Sequence, residues 1–324
     1  IIERGGIESF GDISGFANID LVTTDIEKVI KDADIIMVAV PSFAQNIMVE
    51  KCIPYLEEEQ IILLNPDNTG TIKTYELLKE NDLEDKVYLA GTSSLLYAAK
   101  KLSDYQIDIA AVKHKLQFAA MPAKNTKKIL PKLKELYSGF IPVDNVMATS
   151  LGNFNHQLHT GPFVLNAGRV ESNQEFKFYW EGHTNSINNV VEAMDKEKLQ
   201  IAKIFNIDLE PIDVLMDLYY SGRYKKDAQG LNEVITTNLA YRGITAPDSL
   251  TSRYVEEDVK CGLVLMSSIG DRFNIPTPTV DSIIYIASIL NKVDYKQEGT
   301  TLEKLGIENM SKEEILSYLE DGVK

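Results

Sequence analysis

The sequence predicts an α/β fold with a parallel sheet, followed by an all-α domain, and three observations predict it. Short apolar runs at Ile35–Val40, Ile61–Leu64 and Val87–Ala90 alternate with helically spaced segments. Strand–helix–strand alternation at this spacing makes right-handed βαβ crossovers and hence a parallel sheet. Each run also stops in small or polar residues, at Val40-Pro41-Ser42, Asn65–Gly70 and Gly91–Ser94. From Asn145 onward the apolar period becomes three and four nearly throughout. The segment Ser138–Asp144 reads as the boundary, giving residues 1–144 and 145–324 as the two domains.

In chain order, Ile1–Asn18 is punctuated by glycines without a strand–GxGxxG–helix pattern, so its glycines read as turns. Leu21–Thr24 reads as a short strand, and Asp25–Ala33 as a helix with Ile26, Val29 and Ile30 on one face. Ile35–Val40 has the continuous apolar pattern of a strand buried on both faces. Ser42–Leu56 and Ile72–Glu80 read as helices on either side of the strand Ile61–Leu64. Asp108–Val112 and Leu116–Ala120 read as a hairpin closing the sheet, with an exposed His114 at its tip. Asn125–Tyr137 reads as a basic surface helix. Beyond the boundary, helices are expected over Asn188–Phe205, Pro211–Tyr220, Leu231–Tyr241, Val255–Phe273 and Val280–Asn291. A capping box at Ser311–Glu314 starts a last short helix.

Composition narrows the function. Hydrophobic content of 44% and charged content of 25% are globular values. A net charge of −15 argues against nucleic acid or an anionic membrane surface as partner. The longest apolar runs are too short to span a bilayer. The two cysteines, Cys52 and Cys261, have no metal or redox spacing, which points to a reducing, cytoplasmic compartment and to no metal site.

The chemistry concentrates in Leu151–Glu171, which holds two of the four histidines. Thr160 and Pro162 read as the cap and first turn of an apolar helix, which would set His159 at a helix N-terminus. There the dipole favours an anion and disfavours a protonated imidazole, which suits proton transfer to a small acid. A second polar cluster, Thr251–Gly262, carries Arg253 and Asp258. A buried Arg can grip a carboxylate with two parallel hydrogen bonds, and a buried Asp can fix a histidine tautomer. Glu256 and Glu257 beside them read as solvated. At the strand ends, Val40, Pro41, Ser42, Asn65, Gly91 and Thr92 are the candidates to meet a cofactor, because ligands of parallel sheets bind beyond the carboxyl ends of the strands.

The combination of His159 with LNAGR (Leu165–Arg169), FKFYWEG (Phe176–Gly182), SRYVEEDVKCGL (Ser252–Leu263) and GDRFNIPTPTVD (Gly270–Asp281) resembles the opine dehydrogenases. That family includes octopine and nopaline dehydrogenases. In the first half, ADIIMVAVPSFA (Ala33–Ala44), NPDNTG (Asn65–Gly70) and SLLYA (Ser94–Ala98) are similar to its nucleotide-binding domain. The resemblance implies a Rossmann-type sheet and a helical domain like the C-terminal domain of 6-phosphogluconate dehydrogenase. It implies NAD or NADP as cofactor, and reduction of the imine formed from an amino acid and a 2-oxo acid such as pyruvate. It further implies His159 as the catalytic histidine, Asp258 as its carboxylate partner, and Arg253 and Asn166 as substrate contacts. The partners are small molecules, with a homodimer left open. His156 and His183 receive no role.

Two features depart from the family pattern. The chain starts at Ile1 without the first strand, glycine-rich loop and second strand, so the Rossmann-type unit is expected to be incomplete by roughly 35 residues, about one βαβ start. Asp67 stands where the pattern expects glycine, which would restrict the turn if its φ were positive. Two other readings fit the same layout: a reductase of 2-oxo or 3-hydroxy acids, and a non-catalytic binding protein without the cofactor loop.

Overall fold

The computed structural model describes all 324 residues, Ile1–Lys324. The chain opens with β1 (Gly6–Gly11) and β2 (Gly15–Asn18), an antiparallel hairpin, so this stretch is strand and not a run of turns. Leu21–Thr24 forms no strand, and a short helix α1 (Ile26–Ile30) follows. Then come β3 (Ile35–Val38), α2 (Ser42–Cys52), β4 (Ile61–Leu64), α3 (Gly70–Lys79) and β5 (Tyr88–Thr92). Next are β6 (Tyr97–Ser103), β7 (Gln106–Val112), β8 (Leu116–Met121), α4 (Thr126–Leu136) and β9 (Phe140–Pro142).

These strands make two sheets, ordered β3-β4-β5-β8-β9 and β2-β1-β7-β6. In the first, β3, β4 and β5 run parallel, as their spacing predicts, while β8 joins β5 antiparallel and pairs in parallel with β9. The expected hairpin over residues 108–120 does not form. Its two strands part into different sheets, because β8 is buried on both faces whereas β7 is half-exposed and pairs with β6 and β1. His114 between them is exposed, as expected. β3 is an edge strand with Met37 38% exposed, so it is not buried on both faces. The registers Val38↔Leu64↔Gly91 keep the three parallel strand ends level, and the loops that follow them lie side by side.

The second half is helical: α5 (Val146–Leu151), α6 (Asn155–Leu165), α7 (Ala167–Glu171), α8 (Phe178–Glu181), α9 (Asn185–Ile204), α10 (Ile212–Tyr220) and α11 (Gly230–Thr236). It continues through α12 (Arg253–Glu256), a π-helical turn at Asp258–Leu263, α13 (Val264–Phe273), α14 (Pro278–Asn291), α15 (Tyr295–Glu298) and α16 (Lys312–Asp321). The capping box at Ser311 and Glu314 is formed. α16 returns to the first half, where the Tyr318 hydroxyl donates to Glu76 (2.6 Å) on α3. One apolar core runs from β4 through α9 to α16. No helix is long and apolar enough to cross a membrane.

Candidate active site

α6 begins at Asn155, six residues earlier than a Thr160 cap would start it, and Asn153 Oδ1 accepts from the Asn155 N–H (3.2 Å) just ahead of it. His159 therefore sits inside the helix and not at its N-terminus. Thr160 bonds back to the His156 carbonyl instead of capping, and the dipole argument for His159 fails. What holds His159 is side chains. Its Nδ1 lies 2.8 Å from Asp258 Oδ2, its Nε2 lies 2.7 Å from the Tyr179 hydroxyl, and its ring stacks on Tyr254 at 4.0 Å.

This geometry selects one tautomer. An ionised carboxylate only accepts, so Nδ1 carries the proton and Nε2 accepts from the Tyr179 O–H. Burial favours a neutral Asp258, but His159, then His156 and Arg253, outweigh it and hold the carboxyl below its usual range. Burial and the neighbouring tyrosines push Tyr179 well above the ordinary phenol range, so it remains a donor. The result is a buried imidazole that can take a proton at Nε2 while Asp258 balances the charge.

A break at Glu257, between α12 and the π-helical turn, separates Arg253 from Asp258. In an α-helix, residues five apart point about 140° away from each other. Here α12 ends and the wider turn begins at Asp258, and Arg253 and Asp258 line the same cleft, which encloses about 590 Å³. Arg253 is exposed and has no hydrogen bond or ion pair through its guanidinium, so it is not the buried Arg that the sequence suggests. Val40, Pro41 and Asn65 from the strand ends and Asn153, Asn155 and His159 from α6 share this cleft.

Other expected site residues take different places. Asn166 is buried and ties Pro162 O (2.8 Å) to Gly182 O (3.0 Å), away from the cleft. Gly91 faces inward, where a Cβ would meet Thr71 Oγ1 at 2.4 Å. Thr92 is fully buried and braces the Asn65 side chain (3.0 Å). Ser42 donates through its hydroxyl (2.7 Å) and its N–H (3.1 Å) to Glu257, which is buried and not solvated. Glu256 is tied to Lys260 (2.7 Å) and accepts from the Tyr295 hydroxyl (2.6 Å). Asp67 has no positive φ; its neighbours Asn68 and Thr69 do. Buried Asp67 caps α3 at the Thr71 N–H (2.8 Å) and receives Thr149 Oγ1 (2.7 Å) from α5.

Sequence reasoning missed Tyr179, Asn68 and His156. Asn68 Nδ2 donates to Ser42 Oγ (2.9 Å), and its Oδ1 receives Asn153 (2.6 Å) and His156 Nε2 (3.1 Å). Burial pulls His156 down to about 4 in spite of Asp258 Oδ1 at 3.9 Å, so it is neutral at neutral pH. It packs flat on Gly262, where a Cβ would lie 2.1 Å from its Cγ. Each lay within a stretch already singled out: Tyr179 in FKFYWEG, Asn68 in NPDNTG and His156 in Leu151–Glu171.

Residues 142–291 match the family model described as NAD/NADP octopine/nopaline dehydrogenase, alpha-helical domain. The opine dehydrogenase of Arthrobacter sp. (strain 1C) is 35% identical over 322 residues, covering 99% of this chain and 88% of the relative. The chain belongs to the opine dehydrogenase family. It is thereby an NAD(P)-dependent oxidoreductase of the class acting on CH–NH donors. The octopine dehydrogenase of Pecten maximus is 23% identical over 316 residues, 88% of this chain and 76% of that protein. In three dimensions, an octopine dehydrogenase solved with NADH and agmatine aligns at a TM-score of 0.76 and 19% identity, over 98% of this chain and 86% of that one.

For an opine dehydrogenase, the donor set of the cleft fits the nicotinamide end of a dinucleotide. The walls at Val40, Pro41, Asn65 and Pro66 offer backbone groups and a neutral amide, and they converge on His159. No strand-to-helix turn in residues 1–324 carries GxGxxG, so no residue is assigned to the pyrophosphate.

Proposed function

We propose that this opine dehydrogenase joins an amino acid to a 2-oxo acid such as pyruvate and reduces the imine, with NADH or NADPH as the source of hydride. The observation that carries the reading is the buried His159, bridged between Asp258 and Tyr179, in a cleft it shares with an unpaired Arg253. Bound nicotinamide would supply a hydride to the imine carbon, and every other duty falls to the chain. Val40, Pro41 and Asn65 would line the nicotinamide side. Ser42, Gly91 and Thr92 would support that wall from behind, through the contacts described above. Asn166 would brace α6 in place of touching substrate. Arg253 would fix a substrate carboxylate in a forked contact. His159 Nε2 would take the proton from the attacking amine and return it to the leaving carbinolamine oxygen, directly or through Tyr179. Asp258 would stabilise the imidazolium in between.

In this reading residues 1–144 hold the nucleotide and residues 145–324 carry the substrate groups. Two unpaired cysteines agree with work in a reducing, cytoplasmic setting. A homodimer is the assembly to look for. The test follows NAD(P)H fluorescence with the full chain, offering pyruvate alone and then with a panel of amino acids. Oxidation that requires the amino acid supports the proposal. Oxidation with pyruvate alone overturns it in favour of a simple oxo-acid reductase, and no oxidation or nucleotide binding overturns it in favour of a non-catalytic protein.

A further inference from the structure

Beside the cleft lies a second cavity of about 920 Å³, which also has His159 and Arg253 in its lining. Its other walls include Leu95, Lys113, Tyr220 and Tyr254, and no lining residue is Asp or Glu. Lys113 directly follows β7 and is only 4% exposed. Its Nζ donates to the Leu95 carbonyl and lies 5.5 and 5.6 Å from the ring centres of Tyr220 and Tyr219. It has no carboxylate partner. Burial without a counter-charge brings it down to about 7.

An ammonium buried among aromatic rings recovers part of its lost hydration from their faces but keeps an uncompensated charge. In the protonated form, with one N–H given to Leu95, two donors remain for an incoming group. An anion entering this cavity would supply the counter-charge that the fold withholds. The opine reaction brings such anions in pairs, since an amino acid and a 2-oxo acid each carry a carboxylate. Arg253 can hold only one of them at its fork.

We propose that Lys113 is the second carboxylate anchor of the site, so that one cation from each half of the chain holds the substrate pair across His159. This rests on the condensation reading above. The carboxylate at Lys113 comes either from the α-carbon of a substrate or from the side chain of a dicarboxylic one.

The test compares the full chain with Lys113→Met, which keeps the length and removes the charge. With alanine, glutamate, pyruvate and 2-oxoglutarate as substrates, the KM of one partner should rise at least about ten-fold while that of the nucleotide stays within about two-fold. A rise with alanine and pyruvate assigns an α-carboxylate to Lys113. A rise confined to glutamate or 2-oxoglutarate assigns a side-chain carboxylate. Unchanged KM values for every acid, in a variant that melts like the parent, overturn the proposal.

Binding supplies a readout without turnover. Iminodiacetate, with two carboxylates on one secondary amine, should bind the parent at least about ten-fold more tightly than its monoamide, and Lys113→Met should erase that difference. Equal binding of the two compounds by the parent overturns the proposal even where the variant does not fold. Loss of the difference in Lys113→Met, in a parent with no amino-acid-dependent turnover, would uphold the anchor while the condensation reading fell.

Discussion

Replacing Asp258 by Asn removes one charge and nearly preserves the shape of the site, so its effect can be worked from the contact it makes. The carboxylate meets His159 Nδ1 at 2.8 Å, and both side chains are buried. Unit charges centred about 4 Å apart interact by about 4 kcal/mol at an effective dielectric of about 20, close to a 10³-fold effect. Only the protonated imidazole feels that attraction, so the loss appears in steps where His159 holds a proton. The amide adds a second defect. If its NH₂ turns towards Nδ1, the proton moves to Nε2, which then donates to the Tyr179 oxygen and can no longer accept a proton.

The expected outcome is a kcat lower by about 10²- to 10³-fold, with the nucleotide KM within about two-fold of the parent. The pH–rate profile should differ from the parent's, because the imidazolium has lost its counter-charge. Steady-state rates across pH, with amino acid and oxo acid both saturating, provide the assay. A kcat within about three-fold of the parent and superimposable pH profiles would refute the pairing as a working dyad.

Three further predictions follow from the same site. Arg253→Lys should raise the KM of an acid substrate by about ten-fold with little change for the nucleotide, since a point charge replaces a fork; a change confined to the nucleotide would place Arg253 at the other ligand. Tyr179→Phe removes the 2.7 Å bond to Nε2 and should lower kcat by about ten-fold. An unchanged kcat with a lowered melting temperature would make that hydroxyl a fastener only. His156 and His183 are each held near 4 by burial, against about 6.5 for an unfolded chain. Between those values the unfolded chain binds more protons, so stability falls as pH falls, by on the order of 3 kcal/mol per histidine at pH 4. Asp67, raised by burial, works in the opposite direction. Urea unfolding at pH 7 and at pH 4.5 checks this; a parent slope equal to that of His156→Asn and His183→Gln would refute it.

The parallel strands and the helical second half were legible because each rests on local signal, whereas the His159–Asp258 pair came from the family resemblance and is formed at 2.8 Å. β4 spans Ile61–Leu64 as its apolar run dictates. β1 was not legible, because its neighbour in the sheet is β7, about 100 residues away, and its hairpin partner β2 is exposed along its length. The 108–120 hairpin misled because adjacency in sequence outweighed a difference in pattern. β7 has Asp108 among its apolar residues, while LQFAAM in β8 is buried throughout. Pro162 misled in the same way: proline is common in a first turn, but here it lies inside α6. The burial of Glu257 lay beyond local reading, since its partner Ser42 is 215 residues away.

Glu257 and Asp258 show why the cleft takes its form. Consecutive helical residues point about 100° apart, so two adjacent acids can reach into different halves of the molecule. Glu257 reaches the N-terminus of α2, where the Ser42 N–H and hydroxyl and the positive end of the helix dipole receive it. Asp258 reaches α6 and His159. The segment bearing Arg253 is thus pinned to both the sheet half and the helical half within two residues, and Asp67 adds a further tie from the α3 turn to α5. These acids spend their charge on internal partners, whereas Arg253, lining the cleft beside them, spends none. A chain with a net charge of −15 can therefore still present a positive group to an anionic substrate. Loosening Glu257 from Ser42 would therefore shift Arg253 relative to the strand ends, so a Glu257 change is expected to disturb both sides of the cleft at once, unlike a change at Arg253 itself.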